Sequence, residues 1–268
     1  WKRPIVENQC IPKKDVPKEK KENIVTFSPT QDFVRHYFQV NSPRKGLLLW
    51  HSVGTGKTCA AIACATTSFE PAGYTILWVT RHTLKSDIWK NMFDSICSVT
   101  IRNELSAGTL SKIPVELSQR KRLLSNHWLQ PISYKQFSNA LSGKNNIANV
   151  LQQINGKEDP LRKTLIIIDE AHKLYGGDLK GQEMVDTDVL EKSVFHSYQT
   201  SKQDSCRLLL MTATPITNDP MELIKLLNLM LVPSPRLRYN PKSQFPTSYQ
   251  EFKKEFLTDD GLFREETQ

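Results

Sequence analysis

One pentapeptide constrains the fold more than any other feature of this 268-residue chain. The sequence Gly54-Thr55-Gly56-Lys57-Thr58 directly follows a short apolar run and precedes an alanine-rich stretch with a helical pattern. In a strand, loop and helix of this order, small glycines let backbone N–H groups approach a phosphate, and the positive end of the new helix faces the same point. The pentapeptide therefore predicts a phosphate-binding loop.

The residue types in the loop also predict what each side chain does. The side chain of Lys57 should reach the β- and γ-phosphates of a nucleotide, and the hydroxyl of Thr58 should ligate Mg²⁺. The backbone of residues 54–56 would supply the rest of the cradle. The longer form of this pattern has glycine where this chain has His51. That departure argues against the generic kinases and GTPases.

From about residue 25 onward, short apolar runs alternate with helical patterns, which is typical of a parallel sheet with crossover helices. Four near-continuous apolar runs are predicted as strands buried on both faces: Gly46–Trp50, Thr75–Thr80, Thr164–Ile168 and Arg207–Thr212. Helices are predicted at Lys57–Ser68, at Leu84–Ile96, within Asp188–Ser201, from Asp219, and after the capping pair Ser248 and Glu251. Segments 100–130, 139–163 and 175–205 are too polar to assign. The fold class predicted is α/β, with a mostly parallel sheet flanked by helices.

The chain divides into three parts by composition. Residues 1–22 are rich in lysine and proline and are predicted to form a basic extended arm or linker, with a solvated tail without a role as the alternative. Residues 23–232 would form the α/β lobe, and residues 233–268 a short tail with one helix. Because the chain begins with Trp1 and not with methionine, we expect it to be part of a longer polypeptide.

Charge and composition limit the classes of protein. The net charge of +8 and the pI near 9.2 favour an anionic partner, although nucleic acid, a membrane surface and mere solubility all remain open. The apolar runs are far shorter than the roughly 20 residues of a membrane-spanning helix, so we expect a chain that does not span a membrane. The five cysteines are odd in number and lack metal-ligand spacing, which argues against a disulfide framework and a zinc site. A reducing compartment is expected.

A second motif follows the third predicted strand. The apolar run of residues 165–168 ends in Asp169 and Glu170. A carboxylate at the carboxyl end of a buried strand beside a phosphate loop is placed to ligate Mg²⁺, which is the role expected of Asp169. Glu170 can then act as the general base toward water. An apolar strand followed by two acids also occurs where a strand merely meets a polar loop, but the phosphate loop favours the catalytic interpretation.

A third motif, Thr212-Ala213-Thr214, ends the fourth predicted strand. Threonine is common in strands, so this triplet is weak evidence alone. Three motifs follow one another in the chain: the phosphate loop, the Asp-Glu-Ala-His sequence at residues 169–172 and this triplet. Their order and spacing resemble motifs I, II and III of the superfamily 2 helicases and translocases, and Asp-Glu-Ala-His resembles the motif that gives the DEAH-box proteins their name. The resemblance covers about residues 25–232.

A narrower resemblance rests on residues 42–58, 78–81 and 211–220. These stretches are similar to the helicase-like ATPases of large cytoplasmic DNA viruses, including nucleoside triphosphatase I and the ATPase subunit of the early transcription factor. The resemblance implies a RecA-like lobe that hydrolyses ATP with Mg²⁺, coupled to translocation along nucleic acid or to its unwinding. It further implies viral transcription or genome handling, a virion and host cytoplasmic location, and viral RNA polymerase or virion core proteins as partners.

The resemblance also implies roles for individual residues. Gln31 would read adenine, with a surface glutamine before a helix as the alternative. Thr80 and Arg81 would hold a nucleic-acid backbone, and residues 133–135 resemble a further backbone-contacting segment. Three residues would couple the nucleotide state to the grip on nucleic acid, unless they are ordinary polar strand ends: His172, Thr212 and Thr214.

Finally, the resemblance implies a second RecA-like lobe of the same polypeptide, which supplies an arginine finger in related phosphoryl transfer. Only about fifty residues follow Thr214, too few for another lobe. We therefore expect this chain to hold half of a composite active site, with DNA favoured over RNA as the partner. The alternative is a nucleotide-binding docking subunit without motor activity. The presence of Lys57, Thr58, Asp169 and Glu170 favours the enzyme.

Overall fold

The computed structural model describes residues 27–176 and 184–264. The arm predicted at residues 1–22 lies outside these residues. So does part of the segment 175–205, which the sequence pattern left unassigned.

The centre of the fold is a sheet of four parallel strands in the order β1-β4-β3-β2. All four predicted strands are confirmed, as β1 Gly46–Trp50, β2 Thr75–Val79, β3 Thr164–Asp169 and β4 Arg207–Thr212. β2 ends one residue earlier than predicted and β3 includes Asp169. On the outer edge of β2, single bridges to Trp128 and Ile132 extend the sheet without forming a regular fifth strand. The α/β fold with a parallel sheet is confirmed.

Helices cover both faces of the sheet. In the described part of the chain they are α1 Pro29–Tyr37, α2 Lys57–Cys64, α3 Lys85–Phe93, α4 Val99–Ala107, α5 Leu117–Arg122, α6 Tyr134–Leu141, α7 Asn146–Asn155, α8 Thr187–Ser201, α9 Met221–Leu229 and α10 Tyr249–Phe256. None of them is long and apolar enough to cross a membrane.

The predicted helices are present, with small differences at their ends. α2 continues through a π-helical turn, Ala65–Phe69, and α3 is preceded by a 3₁₀ turn, His82–Leu84. α9 begins at Met221 rather than Asp219, because the Asp219 carboxylate accepts a hydrogen bond from the Met221 amide and thereby lies outside the helix.

The capping box predicted for α10 is only half formed. Ser248 accepts from the Glu251 amide, whereas the Glu251 carboxylate accepts from the amide and the hydroxyl of Thr247. Phe252 and Phe256 share one face as predicted, with their ring centroids 5.2 Å apart.

The core has two layers because alternate residues of each strand face opposite sides of the sheet. One layer packs against α1, α2 and α3 and includes Trp78, Ile167 and Leu209. The other packs against α6, α8 and α9 and includes Ile168 and Leu210. The predicted burial on both faces is confirmed for β2, β3 and β4, which explains their continuous apolar runs. It is wrong for β1, because this strand lies at the edge of the sheet, is only partly buried and ends in the exposed Trp50.

The cysteines correct one interpretation of the sequence. Cys59 in α2 and Cys97 after α3 form a disulfide, with Cα atoms 5.1 Å apart. Cys64 and Cys206 are buried free thiols, and burial raises the pKa of each to about 12. The odd count and irregular spacing argued against disulfides. The pairing depends on α2 and α3 packing side by side, which cysteine spacing does not reveal.

We expect reduction of this bridge to lower the free energy of unfolding by about 4 kcal/mol, since the cross-link closes a long loop and restricts the unfolded chain. The sequence separation of the two cysteines is 38 residues. Urea unfolding with and without reductant measures the difference. Cys97→Ser is the control, because its unfolding should not respond to reductant. Identical midpoints for the native chain in both conditions would show that the bridge contributes nothing.

Candidate active site

The sequence-predicted site residues converge on one edge of the sheet. Parallel strands present their carboxyl ends together, and ligands of open α/β sheets bind outside these ends. The phosphate loop follows β1, Thr80 and Arg81 follow β2, Asp169 and Glu170 lie at the end of β3, and the Thr-Ala-Thr triplet ends β4.

The phosphate loop has the backbone geometry that its glycines predict. Gly54 and Gly56 adopt φ angles of 78° and 80°, in the left-handed region that favours glycine. A β-carbon on Gly56 would lie 2.4 Å from Gln31 Nε2. Ala60 makes the first hydrogen bond of α2, from its amide to the Gly56 carbonyl. The earlier amides of this turn have no partner within the helix, and such groups bind anions.

The ammonium of Lys57 lies inside the loop. Its Nζ donates to the carbonyl oxygens of His51 and Ser52, at 2.9 and 3.1 Å. The hydroxyl of Thr55 also donates to the Ser52 carbonyl, at 2.8 Å. Burial and the charge of Lys57 lower the pKa of His51. The His51 amide donates to the Thr212 carbonyl at 3.2 Å, so the loop is anchored to β4 through its backbone.

Gln31 is in contact with the phosphate loop. Its Nε2 donates to the Gly56 carbonyl at 3.3 Å, and its Oε1 accepts from the Ser28 amide at 2.9 Å as part of the capping box of α1. Both ends of the side-chain amide are therefore used within the protein. The adenine contact implied for Gln31 stays a prediction.

Asp169 and Thr58 line the same cavity of about 420 Å³. The Thr80 hydroxyl donates to Asp169 Oδ2 at 3.3 Å. Burial and the neighbouring charge of Glu170 raise the pKa of Asp169, and they outweigh the hydrogen bond from Thr80 and the charge of Lys57. A carboxylate and a hydroxyl are oxygen ligands of the kind that Mg²⁺ takes. The donor set therefore fits the metal ion.

Glu170 has a strained backbone. Its φ and ψ are 53° and 49°, the left-handed conformation, which costs an L-residue roughly 1–2 kcal/mol. It begins the 3₁₀ turn Ala171–Leu174. Strain of this kind persists only where the surroundings hold it, and such positions cluster at functional sites.

The three predicted coupling residues form one line of contacts. His172 Nδ1 lies 2.8 Å from Thr212 Oγ1 and 3.4 Å from Glu170 Oε2. The Thr214 amide donates to Thr212 Oγ1 at 3.0 Å. The end of β3 is thereby joined to the end of β4 through polar groups.

The two predicted nucleic-acid residues have different surroundings. Thr80 is buried, with its hydroxyl bonded to Asp169, whereas Arg81 is exposed. The Thr80 amide donates to the Ile132 carbonyl at 3.0 Å, and this contact brings the start of α6 beside Arg81. Lys135, in the first turn of α6, is also exposed. The structure therefore places Arg81 and Lys135 on neighbouring segments.

Sequence reasoning missed Glu222. This buried carboxylate accepts from the amide and hydroxyl of Thr217, both at 2.7 Å, and from the Asn218 amide at 3.3 Å. Burial alone would raise the pKa of Glu222, but these hydrogen bonds outweigh it and lower the pKa. Glu222 thus fixes the loop after β4. The sequence does contain one signal for Glu222, since an acid in the first turn of a helix is stabilised by the helix dipole. The hydrogen-bond partners of Glu222 become apparent only in the folded structure.

Several known proteins are similar in sequence to this chain. A family model described as the type III restriction enzyme res subunit matches residues 18–217. The "Putative ATP-dependent RNA helicase R563" of Acanthamoeba polyphaga mimivirus is 27% identical over 212 residues, which are 76% of this chain and 32% of the relative. The "Putative helicase 009L" of Frog virus 3 (isolate Goorha) and the "Putative helicase 087L" of Invertebrate iridescent virus 3 are each 25% identical, over 75% of this chain and 20% of each relative.

The chain thus spans about a third or less of the length of these curated relatives. The family model, in contrast, covers well over half of this chain. The phosphate loop, the two acids at the end of β3 and the triplet at the end of β4 lie within the matched residues. The chain belongs to the family of the type III restriction enzyme res subunit, among the helicases of superfamily 2.

Proposed function

We propose that this chain is the RecA-like, ATP-binding lobe of a nucleic-acid-dependent ATPase of the helicase or translocase type. The observation that carries the proposal is the meeting of Lys57, Thr58, Asp169 and Glu170 at one edge of the sheet, where Thr58 and Asp169 line one cavity. A phosphate-binding lysine, two oxygen ligands for a metal ion and a general base are the parts that ATP hydrolysis needs.

In this proposal each residue has a separate part in hydrolysis. Lys57 exchanges the loop carbonyls for the β- and γ-phosphate oxygens, and the loop amides bind the phosphates beside it. Thr58 and Asp169 hold Mg²⁺, which when bound neutralises charge on these phosphates. Glu170 accepts a proton from the attacking water.

We further propose that the line of contacts from Glu170 through His172 and Thr212 to Thr214 couples hydrolysis to the nucleic-acid grip. A change of charge at Glu170 reaches the end of β4 through two hydrogen-bonding side chains. Thr214 is connected to the same line of contacts because its amide donates a hydrogen bond to Thr212 Oγ1.

The partner proposed is a nucleic-acid backbone, with DNA favoured over RNA. Exposed Arg81 and Lys135 lie on neighbouring segments, and the chain carries a net charge of +8. Phosphate contacts of this kind bind without base specificity. The helicase names of the relatives support a nucleic-acid partner, and one of them names RNA.

The wider setting is also proposed. The lobe at residues 23–232 would work with a second RecA-like lobe of a longer polypeptide, in viral transcription or genome handling. Viral RNA polymerase or virion core proteins would be its partners, and the virion and host cytoplasm its location. A docking subunit without motor activity is the competing function.

We expect Arg81→Ala to weaken binding of all nucleic-acid sequences alike and to flatten the salt dependence of binding by roughly one unit, because one phosphate contact is lost. Titration of single- and double-stranded DNA and RNA at several salt concentrations measures both quantities. Arg44→Ala is the matched control, since Arg44 is an exposed arginine just before β1, at the opposite edge of the sheet. Equal effects of the two substitutions would remove Arg81 from the interface. No binding by the unaltered protein at low salt would favour the docking function.

A further inference from the structure

Tyr134 connects α6 to the predicted catalytic acids. It is the first residue of α6, and only 1% of its surface is exposed. Its ring packs in the core layer that contains Ile132, Phe137 and Ile168. Its hydroxyl group lies within hydrogen-bonding distance of the carbonyl oxygens of both Asp169 and Glu170, the latter at 3.2 Å.

These two carbonyls define the backbone on either side of the Glu170 nitrogen and α-carbon. Their directions depend on the φ and ψ of Glu170, which stands in the left-handed region. A phenol has one proton to donate, so it binds one carbonyl or shares the proton between the two. A donor fixed in the core at this point therefore favours the conformation that Glu170 adopts.

The same tyrosine is next to the predicted nucleic-acid surface. Lys135 follows it in the chain and is exposed, and Ser133 caps the helix by accepting from the Gln136 amide. The start of α6 thus carries an exposed cation on one side and the buried phenol on the other. A displacement of this helix start would move the donor away from the Glu170 backbone.

We propose that Tyr134 is a positioning residue for ATP hydrolysis. Its hydroxyl holds the Asp169 and Glu170 carbonyls so that the Glu170 carboxylate stays directed at the attacking water. The inference rests on the proposed function of Glu170 as general base. It adds a residue that acts on the base through the backbone and has no contact with the nucleotide in this mechanism.

The chain contains a matched control for this idea. Tyr198 in α8 is equally buried, belongs to the same core layer and donates to the Leu229 carbonyl at 3.3 Å. Tyr134→Phe and Tyr198→Phe each remove one buried hydroxyl group that donates to backbone, which is shared between two carbonyls for Tyr134 and directed at one carbonyl for Tyr198. Only the first affects the backbone of Glu170.

We expect Tyr134→Phe in the full-length protein to lower kcat for ATP about tenfold, the factor that corresponds to one hydrogen bond of ordinary net strength. The KM for ATP should not change, because the phosphate loop is intact. Tyr198→Phe should change neither constant, while urea unfolding should show similar losses of stability in both variants. An unchanged kcat in folded Tyr134→Phe, or an equal loss of kcat in Tyr134→Phe and Tyr198→Phe, would overturn the proposal.

Amide hydrogen exchange supplies a readout that does not need turnover. Exchange in the peptide spanning residues 165–175 should increase in Tyr134→Phe and not in Tyr198→Phe. Unchanged exchange in Tyr134→Phe would contradict the positioning role even if kcat fell. If the unaltered protein hydrolysed no ATP with any nucleic acid, the proposed function would fail by that result, and the exchange experiment would still decide whether Tyr134 holds this backbone.

Discussion

Lys57→Ala is expected to lower the affinity for Mg²⁺-ATP by at least about 100-fold. The Lys57 ammonium lies in the loop, bonded to the carbonyls of His51 and Ser52. Charge-assisted hydrogen bonds to phosphate contribute about 1.5–3 kcal/mol each, and every 1.4 kcal/mol is tenfold in affinity, so the loss of two such bonds has this effect. The motifs contain no second lysine that could take its place.

Isothermal titration calorimetry of Mg²⁺-ATP into the unaltered protein and Lys57→Ala measures this loss. Lys144→Ala is the control, since Lys144 is an exposed lysine in the connection between α6 and α7, outside the site. Circular dichroism establishes that each variant is folded. Equal ATP affinity of folded Lys57→Ala and the unaltered protein would contradict the assignment of the phosphate loop.

Glu170→Gln is expected to bind ATP normally and to lower turnover by about 10²–10⁴-fold, the usual contribution of a general base. Glutamine has nearly the same size as glutamate and can keep its side-chain oxygen beside His172, but it cannot take a proton from water. The phosphate loop and Asp169 are unchanged. The ATP affinity of this variant should therefore stay unchanged while its turnover of ATP falls.

The comparison is with Glu191→Gln, which changes a half-buried carboxylate on α8 that accepts a hydrogen bond from Tyr175. Turnover should persist in this control. ATP binding is measured by the same calorimetry for both variants. A folded Glu170→Gln protein that hydrolyses ATP at the unaltered rate would mean that another group activates the water.

The sequence predicts the sheet well for a physical reason. Strands of a parallel sheet that are covered on both faces are apolar along their length, so β2, β3 and β4 appear as apolar runs with recognisable ends. β1 is also an apolar run, although it lies at the sheet edge and is only partly buried. The glycine loop and the two acids are local signals next to these runs, and their meeting at one edge follows from the parallel arrangement. For this reason much of the candidate site can be placed from sequence.

The helices between β2 and β3 are harder to predict. α4 and α5 are short and largely polar, so their apolar periodicity is weak. α6 and α7 do have one apolar face, but it extends over only 8 and 10 residues. Their caps were the readable signal: Ser98, Ser133 and Asn145 each accept a hydrogen bond from an amide of the first turn.

Contacts between distant segments are not visible in the sequence. The Cys59–Cys97 bridge, the bonds of Tyr134 to the residues after β3 and the bonds of Glu222 to the loop before α9 each depend on how elements pack. Gln31 shows the same limit, because its side chain is used by the helix cap and by the loop at once. Residue type and spacing suggest the role of a side chain, whereas the groups that it contacts are determined by how the chain folds.

We propose that ATP is hydrolysed at this site in response to nucleic acid, and ATP turnover by the full-length protein with and without nucleic acid measures this. We expect single- or double-stranded DNA or RNA to raise turnover, and Glu170→Gln to lower the raised turnover by at least about 100-fold while ATP still binds. If the unaltered protein turned over ATP no faster than Glu170→Gln with every one of these nucleic acids, hydrolysis at this site would be excluded.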